Sequence, residues 1–272
     1  MRKQQTFAVS VILFLLTTGC SFLYAQWWES DKDTKVHIWP VQGNIFLLIG
    51  GGANIAASVG GDGVLLVDSG TEAMAPDVLA AITKIQKQKN PVRLPLAYAA
   101  ETRSSITRNT VEPIKPIRYI VNTSFDAEHV GGNAKISTAG DTISGGNVGG
   151  YAPTGAAILA HENVGIRMAK AKPPAPDAAL PTDAYNLHQY KLSSFFNGEG
   201  VLLINAPRAK TDGDTMVYFR GSDVLVTGDV FANDRYPMID LDAGGSIQGV
   251  LDGLNHILDI AIPEFPDSAS CL

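Results

Sequence analysis

Short apolar runs separated by glycine-rich joints set the pattern of the chain from residue 36 onward. Runs 36–40 and 44–49 precede Gly50-Gly51-Gly52, and runs 53–59 and 63–67 are joined by Gly60-Gly61-Asp62-Gly63. Apolar, β-branched stretches bounded by turn formers predict strands, so each pair predicts a hairpin. The glycine joints lack the Gly-x-x-x-x-Gly-Lys-Ser/Thr spacing of a phosphate-binding loop and precede strands instead of a helix, so they are read as turns. Over residues 76–87 the period changes: Val78, Leu79, Ile82 and Ile85 recur at helical spacing with lysines on the other side. That pattern predicts an amphipathic helix covering a sheet. A second helix is predicted over 97–107, after which Pro113 and Pro116 lead into a short buried strand at 117–121.

That strand runs into Asn122-Thr-Ser-Phe-Asp-Ala-Glu-His-Val-Gly-Gly-Asn133, which gathers Asp126, Glu128 and His129 ahead of a glycine pair. The three are expected on a loop at the strand's C-terminal end, with Gly131-Gly132 permitting tight turns. A Gly/Ser/Thr-rich loop is expected over 137–155, then a strand at 156–160 and a short helix through Met168. The Pro/Ala-rich passage 171–181 is expected to cross the surface. Runs 190–192, 201–204, 215–219 and 224–227 predict the strands of a second sheet, and apolar positions 247, 250, 251, 254, 257 and 258 predict a helix over 247–260. This order implies two sheets face to face with helices outside; layering alone gives an α/β class and no more.

Composition narrows the function. At 272 residues, 45% apolar and 18% charged, the chain can bury a full core, and its net charge of −6 without a basic stripe argues against nucleic acid as a partner. Arg2 and Lys3 followed by an apolar stretch over 7–16 resemble an export signal and are too short to span a bilayer. Residues 1–25 are expected to be a signal peptide, 26–35 a linker and 36–272 one domain, in an exported protein of the periplasm or medium. Thr17-Thr18-Gly19-Cys20 offers the other reading, a lipoprotein box; association with a membrane is expected only if Cys20 is lipidated. The two cysteines, Cys20 and Cys271, supply no thiolate cluster, so a metal would have to be held by His, Asp and Glu.

The 122–133 stretch resembles the metallo-β-lactamase superfamily signature, His-x-His-x-Asp-His followed by Gly-Gly. Residues 64–70 resemble that family's strand ending in Asp-Ser/Thr-Gly, residues 159–164 its strand-to-helix passage, and Val226-Thr-Gly-Asp229 its strand carrying a metal-bridging Asp. The resemblance implies a four-layer αββα sandwich with a metal site at one edge between the sheets. It also implies a domain lacking its last strand and helix, since nothing matches the family's Pro-Gly-His-Gly turn.

The departures bear on chemistry. Against the signature, Ser124 and Asp126 take the places of two histidines, Glu128 takes that of the Asp, and His129 is unchanged; Lys210 stands where a further ligand His would be. Two arrangements follow. In one, Glu128, His129 and Asp229 hold a single weakly bound zinc and Asp126 orients or deprotonates a water that attacks an ester, amide or thioester of a small-molecule substrate. In the other, no metal binds and the Lys210 ammonium supplies the charge that relieves repulsion among Asp126, Glu128 and Asp229, leaving a non-catalytic binding or scaffold protein. Ser124, Lys210, Asp214 and His161 are further candidate site members, although His161 is read first as a structural residue at a helix start and Asp214 as a turn residue beside Gly213. His37, His188 and His256 lack partners at ligand spacing, and Ser124 lacks the Gly-x-Ser-x-Gly elbow of a serine nucleophile.

Overall fold

The computed structural model describes residues 36–50, 53–89, 114–141, 155–192, 195–233 and 235–262. The expected signal segment, the linker, the helix over 97–107 and most of the glycine-rich loop lie outside these residues. Strands β1 (His37–Gln42), β2 (Ile45–Gly50), β3 (Ala53–Gly60) and β4 (Gly63–Val67) pair antiparallel in sequence order. Both expected hairpins form. Helix α1 (Ala75–Lys89) then crosses back so that β5 (Ile117–Asn122) lies parallel to β4, followed by β6 (Ala157–His161) parallel to β5. A strand missing from the sequence reading, β7 (Asp183–Tyr185), completes a seven-stranded sheet in the order β1 to β7. At three residues it has no period to read.

The second sheet is antiparallel, in the order β11 (Val224–Val226), β10 (Thr215–Phe219), β9 (Val201–Asn205), β8 (Gln189–Lys191). Because side chains alternate across a strand, each sheet sorts its apolar residues to two faces. From β4, Val64 and Leu66 join Val78, Ile82 and Ile85 of α1, while Leu65 and Val67 join Leu203, Val217 and Phe219 of the second sheet. On the second sheet's other face, Ile204 and Met216 pack with Val250, Leu254 and Ile257 of α5 (Ile247–Ala261). Helix, sheet, sheet and helix thus stack as the αββα sandwich.

Three short helices complete the picture: α2 (Ala127–Val130), α3 (Asn133–Thr138) and α4 (Glu162–Lys170). Glu128 and His129 therefore sit on a helical turn, a correction to the expected loop. The glycine pair has another purpose than a sharp turn, for Gly131 and Gly132 have ordinary negative φ. What they supply is room: a Cβ on Gly131 would come within 2.8 Å of the Glu72 amide, and one on Gly132 would collide with the Ser69 carbonyl. The turn can thus lie directly against the chain leaving β4.

The far end of β4 is fastened differently. Asn197, in the β8–β9 turn, receives the Asp62 amide on its side chain at 3.1 Å, donates its own amide to Asp62 at 2.7 Å and bonds Ser58 at 3.0 Å. These bonds clip the second sheet to the β3–β4 turn.

Candidate functional site

Asp68 follows the last residue of β4 with φ +68, a left-handed conformation that Asp tolerates better than most residues. Its carboxylate accepts the Thr123 amide at 2.8 Å and the Thr123 hydroxyl at 2.7 Å, and it meets His129 Nδ1 at 2.8 Å. The Ser69 amide and hydroxyl both donate to the His129 carbonyl, at 2.8 and 3.0 Å. His129 is thereby held at both ring and backbone by the residues that end β4. Behind it, Asn122 and Asn133 exchange side-chain bonds at 3.1 and 2.9 Å in full burial, tying the end of β5 to the start of α3.

Lys210 comes from the loop between β9 and β10. Its carbonyl accepts the Asp240 amide at 2.9 Å. Asp214 receives the Thr211 amide and hydroxyl at 2.8 and 2.7 Å, and Asp212 holds Arg167 of α4 through two bonds of 3.0 and 2.8 Å. This braced loop delivers the Lys210 ammonium to Asp126 Oδ2 at 2.6 Å and Asp229 Oδ2 at 2.7 Å. Asp229 follows Gly228, whose φ of +53 and contact with Thr123 leave no room for a side chain. The same Asp229 oxygen lies 3.1 Å from His129 Nε2. Asp68, His129, Asp229, Lys210 and Asp126 thus form one continuous row of alternating charge.

The row sets its own protonation states. Burial pushes the His129 imidazole down, but the charges and hydrogen bonds of Asp68 and Asp229 outweigh it and raise it well above the ordinary histidine range. Burial likewise opposes the charge on Lys210, yet Asp126 and Asp229 lift it above the usual lysine value. Asp229, despite burial that favours its neutral form, is held well below the carboxylate range by His129 and Lys210. Asp214 behaves oppositely: burial dominates and raises it to about 6, against the Thr211 hydrogen bonds.

The remaining candidates are dispersed around this row. Glu128 is about half exposed (47%), with Oε1 4.0 Å from His129 Nε2. Ser124 is buried, its hydroxyl 3.5 Å from Asp126 Oδ2. Asp214 is more than a turn residue, since it carries the bonds that shape the segment after Lys210. His161 caps α4, accepting the Asn163 amide on Nδ1 at 3.3 Å, and its ring meets Tyr185 edge-on. Sequence reasoning missed Asp68 and Thr123 as members of the site. The only available signal was that Asp68 ends an apolar strand before Ser69-Gly70.

Glu128, His129 and Asp229 each offer a metal-ligand atom, and these atoms lie within 4.8 Å of one another. One imidazole and two carboxylates are donor types that a divalent ion accepts. Their surroundings do not fit one. Both ring nitrogens of His129 face carboxylates, the arrangement of an imidazolium with no lone pair to give. The Asp229 oxygen already serves two cationic groups, and the Lys210 ammonium beside it would repel a dication.

An αββα sandwich with acidic and histidine side chains gathered at the strand ends defines the metallo-β-lactamase type of fold. A sequence model described as "Metallo-beta-lactamase superfamily" matches residues 38–262, and the chain belongs to that superfamily. Among solved structures it is similar to a metallo-beta-lactamase from Pontibacter korlensis, with TM-score 0.56, 11% identity and coverage of 82% of this chain and 85% of that one. It is also similar to the DIM-1 metallo-beta-lactamase (0.53, 13%, 83% and 84%) and to IND-7 (0.53, 15%, 86% and 89%). At these identities the likeness concerns the fold. Comparison with curated proteins finds no match.

Proposed function

We propose that this chain is an exported, non-catalytic binding or scaffold protein of metallo-β-lactamase fold, in which Lys210 supplies the positive charge that a metal supplies elsewhere. The observation that carries the reading is the Lys210 ammonium, seated between Asp126 at 2.6 Å and Asp229 at 2.7 Å. Asp126, the residue expected to handle a water molecule, spends its Oδ2 on that contact. A cation built into the chain is permanent, whereas a bound ion must outcompete it for the same oxygens. The targeting pattern at Arg2, Lys3 and residues 7–16 supports export to the periplasm or medium.

A second reading, a zinc-dependent hydrolase, draws support from the three ligand atoms of Glu128, His129 and Asp229. Zinc analysis separates the two. After equilibration with excess zinc and gel filtration, the unmodified chain is expected to retain substoichiometric metal, and Lys210→His to retain clearly more. Tight, near-stoichiometric zinc in the unmodified chain would overturn the binding-protein reading.

A further inference from the structure

A cavity of about 300 Å³ opens at the other end of the sandwich, lined by Lys191, Phe195, Glu199, Arg220 and the glycines 198, 200 and 221. The β3–β4 turn, clipped to Asn197, marks this as the end remote from Asp68, so the cavity is separate from the ion row. The volume lies at the lower limit for a small-molecule pocket and would accept a single-ring ligand.

Strand pairing explains why a hollow exists. Arg220 donates its amide to the Gly200 carbonyl at 3.0 Å, extending the β9–β10 register, and Lys191 of β8 stands opposite Leu202. Gly200, Leu202 and Arg220 therefore share a face of the sheet, and the position between the longer side chains carries none. A Cβ built on Gly200 meets the Arg220 stem at 3.8 Å and the Phe195 ring at 3.9 Å, both ordinary contact distances. The space at Gly200 is thus walled by an aromatic ring on one side and an arginine on the other.

The lining holds two cations against one carboxylate. Glu199 is 5% exposed, and its carboxylate is taken by the amides of Gly221 and Ser222 at 3.0 and 2.7 Å and the Ser222 hydroxyl at 2.8 Å. Its charge is committed to the β10–β11 turn. Among the described residues, neither Lys191 nor Arg220 forms an ion pair. Phe195 is 69% exposed, a large apolar ring held at the mouth. Two cations, an exposed aromatic wall and a side-chain-free floor make a site for a flat anion.

We propose that this cavity binds small aromatic carboxylates, with the ring over Gly200 against Phe195 and the carboxylate toward Arg220 and Lys191. The inference stands independently of whether the ion row binds metal. Benzoate is the probe, followed by isothermal titration and amide chemical-shift mapping, with benzyl alcohol as the uncharged control. Saturable benzoate binding is expected, with shifts centred on residues 198–200 and 220–221. Arg220→Ala should weaken it by about tenfold or more, the scale of one charge-assisted contact. Gly200→Val should abolish it by filling the hollow, and zinc retention should not change in either variant. Melting curves verify that both variants fold. The proposal is overturned if benzoate fails to saturate, if benzyl alcohol binds as well, or if binding survives either substitution in folded protein.

Discussion

Lys210 and Asp229 meet at 2.7 Å although they lie on opposite flanks of the hairpin formed by β10 and β11. The pair closes a gap that the backbone leaves open, and Asp126 joins it from the first sheet. Replacing Lys210 by Met keeps the unbranched stem of the side chain and removes its charged end. Two neighbouring carboxylates then lose their counter-ion. Breaking a fully buried pair costs about 3–5 kcal/mol, but Asp126 and Asp229 retain 33% and 22% exposure, so a loss of about 2 kcal/mol is expected from urea unfolding. Zinc should raise the melting temperature of Lys210→Met more than that of the unmodified protein.

Asp68→Asn tests the other end of the row. The Thr123 amide bond can persist to the amide oxygen, but the charge facing His129 is lost, so the histidine's titration, followed by NMR, should move down toward its ordinary range. The sign for stability follows from linkage. A histidine raised in the folded state contributes stability in full below its unfolded value near 6.5, and that contribution is lost as pH rises through the folded value. The loss should therefore be complete at lower pH, and smaller in total, in Asp68→Asn than in the unmodified protein. An unchanged His129 titration would show that Asp229 alone sustains the charge.

Much of the fold was legible because its strands are either alternating or continuously apolar. The run 63–67 could be read as a strand, and the 3.6-residue period of α5 was plain. Which layer Leu65 meets and which Leu66 meets was not legible, because an entirely apolar strand does not say which face meets which layer. The site was less legible for a physical reason. Asp68 and His129 are 61 positions apart, and their contact depends on the parallel pairing of β4 with β5 and on the space left by Gly131 and Gly132. Lys210 stood out only as a departure from a family pattern, and nothing local to it indicates which carboxylates it meets.

Asp214 supplies a pH dependence of its own. Its carboxyl is raised to about 6 by burial, so it contributes stability that is complete below the unfolded value of 3.8 and is lost as pH rises through about 6. Asp229 has the opposite sign: its depressed value gives stability above 3.8 that is lost as pH falls. Asp214→Asn keeps an oxygen for the Thr211 amide and offers its NH2 to the Thr211 hydroxyl, while removing the titration. Unfolding free energies measured in urea from pH 4 to 8 should show the variant losing on the order of 3 kcal/mol less than the unmodified protein across that range. Parallel curves would contradict the assignment.

The position of Lys210 depends finally on a residue with no side chain. Gly245 donates its amide to the Asp240 carbonyl at 2.8 Å, and a Cβ there would collide with the Lys210 carbonyl. That carbonyl cannot retreat freely, since it accepts the Asp240 amide and the following residues are held by Asp214 and Arg167. Gly245→Ala should therefore displace the Lys210 backbone or strain the 240–245 turn, at a cost of about 1–3 kcal/mol. Gly61→Ala is the matched control, because a Cβ there meets nothing within 4 Å. Chemical unfolding measures the cost, and NMR of the Lys210 ammonium reports whether its pairing moves. A stable Gly245→Ala protein with unaltered Lys210 signals would show that the loop adapts without disturbing the charge row.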